Sequence, residues 1–170
     1  MNGILRLVLV AAAALAAAPA AAASPESLGL FGPWAAWRVA EPGGRTCYMH
    51  AEPEAKRGEY ARRGDTYLQV THRTAAGTQN VVSLIAGYVY KPDSPVAFDI
   101  DGKKIELFTD GDTAWARDAK ADTALVAAMR AGHKLTVRGT SSRGTETADS
   151  YSLSGFSAAH NAITAGCGLK

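Results

Sequence analysis

The chain has 170 residues, with 18 Lys and Arg against 16 Asp and Glu, for a formal net charge of +2. So even a balance gives no electrostatic reason to seek nucleic acid, and the length fits one domain of ordinary size. Two cysteines far apart in the chain, Cys47 and Cys167, form no zinc signature.

The N-terminal segment has one charged side chain, Arg6, followed by an apolar run from Leu7 to Ala18, then Pro19 and the small residues Ala20 to Ala23. That order predicts a secretory signal peptide over residues 1–23, cut between Ala23 and Ser24. The rival reading is a membrane anchor. A spanning helix wants about 20 strongly apolar residues, whereas this run is short and mostly alanine. No later stretch has the length to span a bilayer, so residues 24–170 are expected to carry no transmembrane anchor. Lipidation at the new N-terminus is ruled out for want of a cysteine before Cys47. The expected location is the periplasm, the outer membrane or the medium.

In an exported chain an even cysteine count favours a Cys47–Cys167 disulfide. It would close a loop of roughly 120 residues, which chain entropy values at about 4–5 kcal/mol. The alternative is two buried thiols. Between the cysteines, Lys56, Arg57, Arg62 and Arg63 alternate with Glu54, Glu59 and Asp65, which reads as a solvated loop.

The apolar spacing is chiefly two-fold. Tyr67 to Arg73 alternates with Leu68 and Val70 on one face, a half-buried strand. Asn80 to Tyr90 is almost continuously apolar and reads as a central strand, interrupted by Gly87 and ended by Lys91-Pro92-Asp93. Asp101-Gly102 suits a two-residue type I′ turn, which pairs Ile100 with Lys103, Phe98 with Ile105 and Val96 with Leu107. The apolar pairs then share one face, and a slip of one residue would destroy that agreement. A short helix follows from a cap at Asp122 through Arg130, with Leu125, Val126 and Met129 on one face and Gly132 at its stop. Lys134 to Thr140 and Glu146 to Leu153 form a second hairpin across Ser141-Ser142-Arg143-Gly144, and Ser157 to Ala165 a last helix just before Cys167. The fold expected is mainly β: a single-domain antiparallel β-sandwich or partly open barrel with one or two short helices.

Several stretches together carry a resemblance. They are Cys47-Tyr48, Thr71-His72-Arg73, Ala86-Gly87-Tyr88, Asp101-Gly102-Lys103-Lys104 and Glu106-Leu107-Phe108. Gly111-Asp112, Ala114-Trp115, the run Leu125 to Met129, the run Gly139 to Thr145 and the run Tyr151 to Phe156 complete them. In this order, from about Trp37 to the C-terminus, the chain resembles the invasion-associated locus B family of alphaproteobacterial envelope proteins. The resemblance implies an exported, all-β envelope protein linked, in pathogenic relatives, to host-cell entry. It carries over no catalytic residue and no cofactor. Some relatives have an extra cysteine where this chain has Val39-Ala40-Glu41-Pro42, so a second local disulfide is absent here.

Chemical motifs are weak. Gly155-Phe156-Ser157-Ala158-Ala159 lacks the closing glycine of a nucleophile elbow, and His50, His72, His133 and His160 are spread along the chain. Asp99, Asp101 and Gly102 lack the terminal acid of a calcium loop, and Asp110-Gly111-Asp112 is explained by a turn. No catalytic residue, cofactor or metal site is therefore assigned. Trp34, Trp37 and Trp115 suit the core better than an exposed platform, with Trp115 the best surface candidate. Arg143, at a hairpin tip, either meets a carboxylate or phosphate ligand or pairs with Asp149 across the hairpin. The expected function is non-enzymatic: contact with an envelope or host-surface protein, with Trp115 and Arg143 on the interaction surface. The alternative is a periplasmic small-ligand or glycan-binding module.

Overall fold

The computed structural model describes residues 23–170, so the predicted signal, Ala23 apart, lies outside the described residues. The strands are β1 (Glu26–Phe31), β2 (Trp34–Glu41), β3 (Gly44–Ala51), β4 (Ala55–Arg57), β5 (Tyr67–Arg73), β6 (Thr78–Ile85), β7 (Val96–Ile100), β8 (Lys103–Asp110), β9 (Thr113–Trp115), β10 (Lys134–Thr140) and β11 (Glu146–Ser152). Two helices, α1 (Ala119–Ala131) and α2 (Phe156–Gly166), complete the described residues. The strands form one antiparallel sheet in the order β1-β2-β3-β5-β6-β9-β8-β7-β10-β11-β4. The mainly β class is as expected.

The sheet is open at β1 and β4, yet it curls. Three residues, Glu52 to Glu54, carry the chain from β3, third in the order, to β4 at the far edge. A link that short reaches at most about 14 Å. The far edge must therefore return beside β3, giving a partly open barrel. Trp34 fastens the same closure, its indole N–H donating to the Ser152 carbonyl at 3.0 Å. Inward side chains from both halves, among them Met49, Leu68, Val82, Phe98, Leu135 and Tyr151, meet in one buried core.

Local rules set the framework. The Asp101-Gly102 hairpin has the predicted pairing throughout, Val96 opposite Leu107, Phe98 opposite Ile105 and Ile100 opposite Lys103. Both turn residues have positive φ, 49° and 92°, as a type I′ turn requires. The β10–β11 hairpin pairs Thr140 with Glu146, as its turn predicts. The apolar run from Asn80 is strand only to Ile85. It ends there because Gly87, at φ +72°, packs against Gly64 so closely that a Cβ would lie 2.4 Å from the Gly64 carbonyl oxygen.

The predicted helix starts earlier than Asp122. Its cap is Asp118, whose carboxylate accepts from the Ala121 amide at 2.8 Å. Asp122 sits one turn inside and accepts instead from the Val82 amide of β6 at 2.9 Å. A carboxylate that looked like a cap is thus the tie that docks α1 on the sheet. Burial raises its pKa, and the Val82 hydrogen bond partly offsets that rise. The last helix begins at Phe156 and packs on β1, β2, β3 and β5. Cys167, its C-cap, is bonded to Cys47 of β3, so the reading of two buried thiols falls. No helix among the described residues is long and apolar enough to cross a membrane.

Candidate functional site

Arg63, which the sequence places in a solvated charge cluster, has a side chain only 4% exposed. It forks onto Asp149 of β11, donating to Oδ1 at 2.8 Å and Oδ2 at 2.5 Å, while its Nε donates to the Ala86 carbonyl at 2.7 Å. The rings of Tyr60 and Tyr88 lie 5.3 Å and 5.0 Å from the guanidinium carbon. Burial works against its charge, but the hydrogen bonds and attraction of Asp149 outweigh burial and raise its pKa. Strand alternation explains the partner: Ala148 and Ser150 are half-exposed, so Asp149 between them faces inward. The expected Arg143–Asp149 pair is not formed, because Arg143 sits exposed at the turn while Asp149 is buried beneath.

This pair ties the loops around Arg63 and Ala86 to β11 at one end of the barrel. Gly64 donates to the Gly87 carbonyl at 2.9 Å, and Ser142 donates to the Val89 carbonyl at 2.8 Å. Tyr88 and Thr147 share a hydroxyl contact of 2.6 Å, and burial raises the Tyr88 pKa. Above them lies a cleft of about 590 Å³ lined by Glu59, Tyr60, Arg62, Val89, Ser142 and Arg143, among others. Tyr60 and Val89 are exposed, and Arg62 and Arg143 enter no ion pair among the described residues. The cleft thus offers two guanidinium forks, one carboxylate, hydroxyls and an aromatic ring on a rigid floor.

A family model described as invasion associated locus B (IalB) protein matches residues 34–164, most of the chain. The chain belongs to the IalB family. Comparison with curated proteins and with solved structures gives no match. The IalB match covers the barrel from β2 into α2, including the cleft and the Arg63–Asp149 pair.

The other candidate residues of this IalB chain fall elsewhere. Trp115 is half-buried on β9, paired with Ser83 and Phe108, and does not line the cleft that holds Arg143. Trp34 is fully buried, edge-on to Phe156 at 4.9 Å, and Trp37 is half-buried. Asp99 accepts from the Gly102 amide, and Asp101 from the amides of His133 and Lys134, so backbone groups occupy both carboxylates. Those backbone bonds lower the Asp101 pKa. Ser157 donates to the Arg130 carbonyl at 3.3 Å.

Two histidines that the sequence left apart come together. His72 of β5 and His160 of α2 stand edge to face at 5.3 Å. His72 Nδ1 accepts from the Asn80 amide at 3.0 Å, and its Nε2 meets the Thr164 hydroxyl at 3.2 Å. His160 Nε2 meets the Asn80 side-chain oxygen at 2.8 Å, and Arg130 lies 2.9 Å from its Nδ1. Burial lowers both pKa values, and His72 and Arg130 help push His160 down to about 4. Asn80 has φ 60° beside a shift in the β5–β6 register, an irregularity no two-fold pattern reveals. The four ring nitrogens are all engaged, and the cluster ties α2 to the sheet.

Proposed function

We propose that this IalB protein is exported and works in the cell envelope without catalysis, by contact between the loop cleft and a partner surface. The observation that carries the reading is the exposed set of Tyr60, Val89, Arg62 and Arg143, held over the buried Arg63–Asp149 pair. A rigid floor lowers the ordering cost of binding, and aromatic and arginine side chains are the usual anchors of such surfaces. Export is supported by the disulfide and by the signal-like order of residues 1–23. The non-enzymatic reading is supported by Ser157, which donates to the Arg130 carbonyl, and by His72 and His160, whose ring nitrogens are all engaged in structural bonds. Association with a host surface in particular rests on the family alone.

A second reading, a ligand- or glycan-binding module, is favoured by one observation: the site is concave and mixes an aromatic ring with converging polar groups. In-cell photo-crosslinking tests the first reading, with the probe at Val89 and, as reference, at Lys120 on α1. One recurrent envelope component captured only from Val89, and displaced by excess purified protein, is expected. The same products from both positions, or none, would overturn the contact reading. N-terminal sequencing of the purified protein is expected to begin at Ser24; a retained Met1 would overturn export by cleavage.

A further inference from the structure

A second hollow lies on the outer wall next to the cleft. Pairing sets Arg57, Ala148, Arg138, Ala97 and Glu106 in one row across β4, β11, β10, β7 and β8. Arg57 and Arg138 flank Ala148, two strand spacings apart, or about 10 Å. Both line a hollow of about 430 Å³ whose floor includes Ala97, Gly139 and Ala148 and whose rim carries Glu146. Neither arginine enters an ion pair among the described residues. At the seam between hollow and cleft, Gly58 runs against β11, where a Cβ would stand 2.8 Å from the Glu146 carbonyl oxygen. Gly58 and Glu146 line the hollow while their chain neighbours Glu59 and Thr145 line the cleft, so the two lie side by side.

We infer that cleft and hollow form one track for a linear glycan bearing carboxylates, with Arg62 and Arg143 holding one acidic sugar and Arg57 and Arg138 another. The inference rests on the second, glycan-binding reading above and names its ligand chemistry. Paired guanidiniums fit carboxylates in a bidentate fork. Glu59 and Glu146, one in each half, accept from sugar hydroxyls and disfavour ligands that are anionic at every unit, such as polyphosphate. The flat floor of Ala and Gly lets a ring lie down but offers no deep socket for a protein's apolar anchor. Tyr60 supplies an aromatic face for stacking in the cleft.

The test is calorimetric titration of the purified protein, expressed from the full chain, with oligogalacturonates of rising length. Neutral maltooligosaccharides and inorganic polyphosphate serve as comparison probes. Affinity is expected to rise with length until both halves are spanned, to fall with salt, and to exceed that for either comparison probe. Arg57→Ala with Arg138→Ala, and separately Arg62→Ala with Arg143→Ala, should each cost about tenfold or more. Lys120→Ala should cost nothing, and melting temperatures should stay unchanged throughout. Equal binding of polyphosphate, no gain with length, or indifference to either double substitution would overturn the inference. Should oligogalacturonate fail while Val89 crosslinking still captures its component, the glycan fails and the contact reading stands.

Discussion

At the scale of single residues, Arg63 and Asp149 matter most, because each is almost wholly removed from water and each is answered by the other. Removing one partner leaves a buried charge unpaired, which costs about 3–5 kcal/mol. Arg63→Leu should therefore lower the urea midpoint of unfolding by that equivalent, whereas Arg143→Ala, exposed and unpaired, should stay within about 0.5 kcal/mol of the parent. A loss under about 1 kcal/mol for Arg63→Leu would mean the loops around Arg63 and Ala86 are held to β11 by something else. The sequence could not single out this pair. Arg63 sits among residues whose alternating charges look like any solvated loop, and only the long-range approach to β11 removes it from water. Arg143 was legible as a hairpin-tip cation lining the site, but its presumed partner was not.

At the scale of elements, legibility follows how local the determining rule is. The two hairpins were readable to the residue because turn chemistry and alternation agree over a few positions. The start of α1 was misplaced because Asp118 and Asp122 are equally good caps in sequence, and only the Val82 amide decides between them. The attachment of α2 was invisible, since His72 and His160 lie 88 positions apart and meet beside an irregular strand register. That attachment is pH-sensitive. A base whose folded pKa is depressed binds fewer protons folded than unfolded, so stability falls as pH drops below the unfolded value near 6.5 towards about 4. Allowing for solvent screening, His160 contributes on the order of 1–2 kcal/mol to that fall. Urea titrations at neutral and mildly acid pH should show the loss in the parent and a smaller one in His160→Gln; an identical loss would clear the histidine.

At the scale of the whole molecule, the class and the disulfide partners were both open to sequence reasoning, because composition, periodicity and cysteine count act over the entire chain. The curl was open only as one of two alternatives, sandwich or partly open barrel, since it depends on the short crossing from β3 to the far edge. The disulfide joins residues 120 positions apart, a separation for which chain entropy predicts about 4–5 kcal/mol. Cys47→Ser should accordingly lower the melting temperature steeply, and added reductant should do the same to the parent. Equal stability with and without reductant would leave the bond without a stabilising role. The crossing also imposes an order in time. Strand β4 pairs with β11, and Cys47 of β3 is bonded to Cys167, so structures begun in the first third of the chain are completed only by its last third. Contacts so distant in sequence close slowly. A chain leaving the ribosome would therefore keep its barrel unclosed until its last helix was made.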